Sequence, residues 1–355
     1  MKNSCIGGQA VIEGVMMKNK ERYAVSVRIP DGSIVTDIKE YHSITEKHKI
    51  LSLPFIRGSV NMIESMIVGM RTLTFSANFF EDEEDGESGK SKTEKGSSGV
   101  SSKNAGKESG SAADKEEKKD FMSGWVLAGT LAFSFLLAML LFMLLPQLVA
   151  EGLCKLLGFP VGGKFGAVVE GCMRLIIFII YIRLIAMMDD IKRTFMYHGA
   201  EHKSINCIEH GLPLTVENVR KSSKLHKRCG TSFIIFVLIV AILVLMFIPP
   251  VTAFSKPVNF LLRFLIRIGL LPVIAGISYE FLRLAGSSDN KIINILSKPG
   301  FWMQGLTTRE PSDDMIEVAI NSVEMVFDWR KFLKDNFDVS VEYPEGWVDP
   351  KDYEL

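Results

Sequence analysis

Two histidines and a glutamate in the run YHGAEH, His198, Glu201 and His202, have the spacing H-x-x-E-H. This is the inverted zincin pattern. On a helix, residues four apart stack one turn over another, so both imidazoles reach one ion. Glu201 then stands beside them as a base for a water on that ion. Imidazole donors of borderline softness select a divalent transition metal, with zinc the first expectation. Two histidines do not complete a catalytic zinc site, which takes three protein ligands and a water. Glu209 lies on the same face as His202, but seven helical residues rise about 10 Å, too far for metal bonds of about 2 Å. The third ligand must come from another segment, and the run HKRCG offers His226 and Cys229. Glu13 and Glu280 are weaker candidates. The competing reading makes the histidines and Glu201 a hydrogen-bonded polar network beside a membrane, and Cys229 a small apolar residue at a helix entrance.

The element that must position the motif is a helix over Asp189–Glu209. Its apolar residues Ile191, Phe195, Ile205 and Ile208 are periodic, and Gly211 with Pro213 supplies a stop. Gly199 opposes the helix by about 1 kcal/mol relative to Ala.

Around that helix the chain reads as α-helical and multi-pass. Hydrophobic residues make up 47% of its 355 residues, although 41 Lys+Arg balance 41 Asp+Glu. Greasy stretches mixed with charge-rich ones indicate a membrane protein with aqueous parts. The zero net charge argues against a nucleic-acid binder, and five scattered cysteines argue against a disulfide scaffold. No cleaved signal peptide is expected from the first residues. Four stretches fit a bilayer: Gly124–Val149, about Gly166–Met188, Ser232–Ile248 and about Val258–Leu284, the last bent at Pro272. The segment 189–231 carries eight Lys and Arg, from Lys192 to Arg228, against Lys155 and Lys164 between the first two spans and Lys256 between the last two. The positive-inside rule places that segment and both termini in the cytoplasm of a cell with an inner membrane.

Charges inside the spans carry a second expectation. Arg263 and Arg267 are four apart on one helix face, and Glu170 and Arg174 are likewise four apart. Arg174, Arg263 and Arg267 near a headgroup region suit a phosphate, so a lipid-linked or anionic substrate is one reading; snorkelling to the interface is the other. Glu280 lies near the inner end of the fourth span, where it can approach the motif or sit as a solvated helix end.

The aqueous parts divide by composition. In residues 1–80, RYAVSVRI alternates and Asp31-Gly32 is a turn signal, so 22–38 read as a cytoplasmic β-hairpin. Leu53–Phe80 reads as an interfacial or re-entrant helix, with Arg57, Glu64 and Arg71 seven apart. Residues 81–120 open with EDEED and continue in Gly, Ser and Lys, a disordered linker. Spans one and two then occupy 121–188, the motif loop 189–231, spans three and four 232–286, and a cytoplasmic C-terminal region 287–355. In that last region Met315–Phe327 is helical behind Ser312, Asp313 and Asp314.

The stretches GGQAVIEGVMM at 7–17, PFIRGSVNMIESMIVGMRTL at 54–73, YHGAEHKSI at 197–205, HKRCGTSF at 226–233, LPVIAGISYEFLRLAG at 271–286 and LTTREPSDD at 306–314 carry a resemblance. The chain resembles the YqhQ-like family of bacterial membrane proteins, the domain-of-unknown-function family numbered 1385. The resemblance implies a metal-dependent membrane enzyme, a description resting on the same histidine and glutamate pattern. It also brings Gly7, Gly8, Gln9 and Glu13 into consideration; the two glycines either let backbone approach a ligand or form a tight turn before a strand. The expected function is metal-dependent hydrolysis at the cytoplasmic membrane face. The alternative is a non-enzymatic scaffold, or a lipid or solute carrier.

Overall fold

A computed structural model describes residues 2–48, 50–80, 129–130, 132–159, 163–248, 255–288 and 290–353. The stretch 81–120, read as a linker, lies outside the described residues, as does the start of the span read from Gly124.

Strands β1 (Ile6–Val11), β2 (Gly14–Asn19), β3 (Arg22–Arg28) and β4 (Ile34–Glu40) form an antiparallel meander in that order. The expected hairpin is its second half, with Arg28 paired to Ile34 and Gly32 at φ +89° in the turn. The first half escaped the sequence because Gly7 and Gly8 interrupt β1 and because β2 is buried on both faces over most of its length. Ile6, Val15, Met17 and Ala24 join a core with Tyr197, Ile205, Met315 and Val318. Met16, Tyr23, Val25 and Val27 point the other way, toward Val68 and Phe75. Strands buried on both sides lose the apolar–polar alternation that marks a one-sided sheet.

Helix α1 (Ile56–Ala77) fills the stretch read as interfacial and bridges two bodies of structure. Its first turns lie against the last apolar helix: Ser59 Oγ donates to the Pro272 carbonyl at 3.0 Å and Asn61 Nδ2 to the Tyr279 hydroxyl at 2.7 Å. Arg57 pairs with Glu280, and buried Glu64 accepts from the Tyr41 hydroxyl, Ser43 Oγ and the Ile44 N–H. Its later turns cover the sheet. Ile63, Met66, Ile67 and Met70 are left exposed on one stripe.

Among the described residues, three helices are long and apolar enough to cross a membrane: α2 (Ala132–Leu156), α3 (Gly163–Ile185) over Lys164–Ile185, and α7 (Lys256–Ser287) over Phe264–Ser287. Between α3 and α7 come α4 (Asp189–Glu209), the short α5 (Val216–Lys221) and the apolar α6 (Gly230–Met246). Helix α2 contains a wide π-turn at Leu140–Leu144 immediately before Pro146. A proline ring clashes with the carbonyl four residues back, here Phe142, and the wider turn relieves that clash. The Phe142 carbonyl instead accepts from Arg174 Nε at 3.0 Å. Helix α7 runs through Pro272 without interruption.

The C-terminal region adds α8 (Lys291–Leu296), α9 (Lys298–Thr307), α10 (Asp313–Glu324) and α11 (Trp329–Phe337). The helix expected over Met315–Phe327 is α10, with Asp313 and Asp314 in its first turn, and it closes the sheet's inner face. Helix α9 lies in a stretch to which the sequence reading assigned no element. Pro299 occupies the first turn, where its missing N–H costs nothing. Gly300 lets α9 come against α6: a Cβ there would meet Ser232 Oγ at 2.8 Å.

Candidate metal centre

Helix α4 is buried almost all round its second half, from Tyr197 to Glu209, although that half is polar. Its polar residues are donors aimed at the backbone of the loop 220–225. Lys203 Nζ donates to the carbonyls of Arg220 and Ser222, both at 2.9 Å. Asn206 Nδ2 donates to those of Ser223 at 2.7 Å and Leu225 at 2.9 Å. His202 Nδ1 lies 2.6 Å from the Lys224 carbonyl. The end of α5 and the irregular stretch after it are thereby fixed on the helix, and the chain beyond delivers Cys229 as the N-cap of α6.

On the other side the segment after α9 crosses α4 at Gly199. A Cβ on Gly199 would stand 2.0 Å from the Arg309 carbonyl oxygen, so only glycine permits the crossing. The Arg309 N–H donates to the Phe195 carbonyl at 2.9 Å, and His198 Nδ1 lies 2.8 Å from the Thr307 carbonyl. The residue that weakened the helix in the sequence is what brings its first histidine a partner.

A carbonyl only accepts, so each Nδ1 must carry the proton and each Nε2 is left facing inward. There His198 Nε2 lies 3.3 Å from Cys229 Sγ. One ligand atom from each of His198, His202 and Cys229 falls within 4.8 Å of the others, with His202 and Cys229 buried and His198 partly so. His202 Nε2 and Glu201 Oε2 are buried and make no hydrogen bond among the described residues. Burial opposes a charge on His198, but the Cys229 thiolate pushes its pKa up to about 9. Burial likewise opposes the thiolate, yet the two imidazoles hold Cys229 well below the ordinary thiol range. Burial raises Glu201, against the pull of His202 and His198 and a hydrogen bond from the Gly8 backbone. A Cβ on Gly8 would meet the Met16 carbonyl oxygen at 2.7 Å and Glu201 Cγ at 2.8 Å. Gly8 is therefore a strand residue allowing close approach to the carboxylate, not a turn before a strand.

The structure divides the remaining candidates. His226 is buried beside His202, ring centroids 5.8 Å apart, but falls outside the group of three ligand atoms, with Nε2 3.4 Å from Glu209 Oε2 and its backbone clasped by the Gln304 amide at 2.7–2.8 Å. Glu209 is fully buried and also receives Arg228, the Ser4 N–H at 2.8 Å and Ser4 Oγ at 2.7 Å. Glu13 sits on Arg193 and Tyr197, and Glu280 on Arg57. Arg174 and Arg267 both pair with Glu170, at 2.8 and 2.7 Å. The Arg263 side chain lies outside the described residues. The sequence reading missed Thr307, Lys224, Lys203, Asn206 and Gln304. The first two act through backbone carbonyls, which no residue type advertises. Lys203 and Asn206 did carry a signal, as donor side chains among the periodic apolar positions of a helix.

A helical chain with three candidate membrane spans and a His-His-Cys cluster beside a buried glutamate is thus the class that fold and site define. The chain belongs to the family described as Protein of unknown function (DUF1385), whose model matches residues 53–329, a stretch that holds the cluster and Glu201 but not Gly8. It is 37% identical over 324 residues to the Uncharacterized protein YqhQ of Bacillus subtilis (strain 168), covering 89% of this chain and 90% of that one. No solved structure matches it.

Two outcomes follow from this packing. Gly199→Ala adds a better helix former yet is expected to destabilise the protein by about 1–3 kcal/mol, because the backbone of Arg309 cannot yield cheaply. A thermal midpoint in detergent equal to or above wild type would contradict the crossing. Burial works against the Glu209 charge, but His226, Arg228 and the Ser4 N–H outweigh it and bring its pKa down to about 2 from 4.5. Because the folded value is the lower one, this stabilisation is complete above about pH 4.5 and is lost as pH falls toward 2, about 3 kcal/mol in all. Glu209→Gln should remove most of the acid-limb difference between pH 5 and pH 3; an unchanged limb would contradict the assignment.

Proposed function

We propose that the chain is a four-span enzyme of the cell's inner membrane, with both termini cytoplasmic. It holds one divalent metal ion, zinc first, on His198 Nε2, His202 Nε2 and Cys229 Sγ, and it hydrolyses its substrate with Glu201 as the base. The observation that carries this reading is the convergence of unsatisfied buried atoms. Among the described residues His202 Nε2 and Glu201 Oε2 have no hydrogen-bond partner, and the Cys229 sulfur lies 3.3 Å from His198 Nε2 and 3.0 Å from Thr231 Oγ1. An unpaired buried polar group costs about 1–3 kcal/mol, so several in one place mark a site made for something else to enter.

The donor set fits such an ion. Two imidazoles oriented through Nδ1 by backbone carbonyls, plus a thiolate, are three protein ligands, which leaves a coordination position open. A bound divalent ion would supply Lewis acidity toward a water and a substrate oxygen. The chain's own residues do the rest. Cys229 and His198 release the proton they share, as ligand deprotonation requires. Glu201 is buried with one free oxygen, which suits it to take a proton, and the Gly8 backbone fixes the other side of its carboxylate. Four spans are supported by α6, whose 17 residues reach about 26 Å, close to the hydrocarbon thickness. The basic segment 189–231 supports the orientation.

Metal analysis of protein purified without chelator tests the site. His198→Ala, His202→Ala and Cys229→Ala are each expected to abolish stoichiometric metal, while Glu201→Gln and His226→Ala retain it. Wild-type protein that keeps none of zinc, manganese, iron or cobalt would sink this reading and favour the structural network of a scaffold or carrier. Orientation is tested separately by impermeant thiol labelling of intact cells, in a background with exposed Cys5 and Cys172 replaced by Ser. Leu157→Cys is expected to label and Lys221→Cys to stay dark; the reverse pattern would invert the topology.

A further inference from the structure

We propose that the groove between the end of α3, the start of α4 and the segment following α9 binds the headgroup of an anionic bilayer lipid, and that such a lipid is the substrate class of the enzyme proposed above. The groove encloses about 710 Å³. Its two sides differ in chemistry. One wall is the last turns of a candidate span, where Ile180, Leu184 and Met187 are all exposed. The rim carries Arg183, Lys192, Lys224 and Arg309 against a lone carboxylate, Glu310. That carboxylate is already shared by Lys203 at 2.9 Å and Lys224 at 3.2 Å. Arg309 spends one donor on the Ala186 carbonyl at 2.9 Å, and the Lys192 ammonium has Asp189 at 4.0 Å. Arg183 forms no ion pair among the described residues.

In a chain of zero net charge this excess of cations is local. A soluble anion would leave the apolar wall unused, and a neutral lipid would leave the cations unused. A phosphodiester headgroup on acyl chains matches both. The groove also adjoins the cluster through shared backbone. Lys224 lines it and gives its carbonyl to His202, and Thr308 lines it next to Thr307, whose carbonyl holds His198. The arginines that favoured a headgroup in the sequence offer a poorer place, since Arg174 and Arg267 both converge on Glu170.

The lipid-binding part stands on the groove alone; only its role as substrate rests on the proposed function. The test reconstitutes the full chain in phosphatidylcholine nanodiscs containing a minor fraction of labelled phosphatidylglycerol, and it reads lipid enrichment and metal content on the same samples. Enrichment over labelled phosphatidylcholine is expected. The double variant Arg183→Gln/Lys192→Gln, both exposed positions, should lower it by roughly 30-fold, from about fivefold per cation removed. Lys334→Gln, exposed on α11, should leave enrichment unchanged. The double variant should also keep its metal, so that loss of lipid with metal retained is a property of the groove. Equal enrichment in wild type and double variant, or none over phosphatidylcholine, would overturn the proposal. So would glycerol phosphate competing as well as the lipid, because the apolar wall would then contribute nothing. Metal absent with lipid binding intact would defeat the enzyme reading and leave the groove assignment standing.

Discussion

The carbonyls of Thr307 and Lys224 each take the Nδ1 proton of a histidine on α4, and the rest of the site follows from those two hydrogen bonds. They set the tautomer of both rings, turn both Nε2 atoms toward Cys229, and leave no ring nitrogen for solvent-side pairing. Neither carbonyl belongs to the helix it serves. One arrives on a segment that only Gly199 lets pass, the other on a loop held by Lys203 and Asn206. A buried polar helix would otherwise be costly, and here its donors are matched to backbone acceptors from two directions.

That arrangement ties the aqueous and apolar parts into one assembly. Helix α4 packs against the sheet and α10 on one side and carries the loop leading into α6 on the other. The N-terminal segment reaches the site twice, through Gly8 of β1 against Glu201 and through Ser4, ahead of the strand, on Glu209. Glu209 in turn binds Arg228 and His226, immediately before Cys229. The chain's first residues therefore help to hold the segment that supplies the sulfur, although nearly the whole length of the chain separates them from α10.

Much of this was legible from residue type and spacing. The helix of the H-x-x-E-H run and α10 follow from their periodic apolar residues, the β3–β4 hairpin from the Asp31-Gly32 turn signal between two strand-like runs, and the apolar helices from length and composition. Boundaries moved where the local chemistry was special. The first apolar helix extends to Leu156, beyond the expected end at Val149, and a π-turn carries it through Pro146. β1 stayed hidden because Gly7 and Gly8 interrupt it, and β2 because most of its length is buried on both faces. At the site, spacing gave the two histidines and offered His226 and Cys229, with Glu13 and Glu280 behind them, as candidates for a third donor. Choosing between them needs the fold: the loop turns the imidazole toward Glu209 and the sulfur toward His198. Gly199 shows the limit most plainly, since its helix cost is visible in sequence while the Arg309 carbonyl that requires it is more than a hundred residues away.

X-ray absorption at the edge of the metal retained by the purified protein tests the central claim most directly. The account predicts a first shell with one sulfur at about 2.3 Å and two imidazole nitrogens at about 2.0 Å, the remainder being light oxygen scatterers. The sulfur contribution should vanish in any residual metal bound by Cys229→Ser. A shell without sulfur in the wild-type protein, or one with three imidazoles, would contradict it.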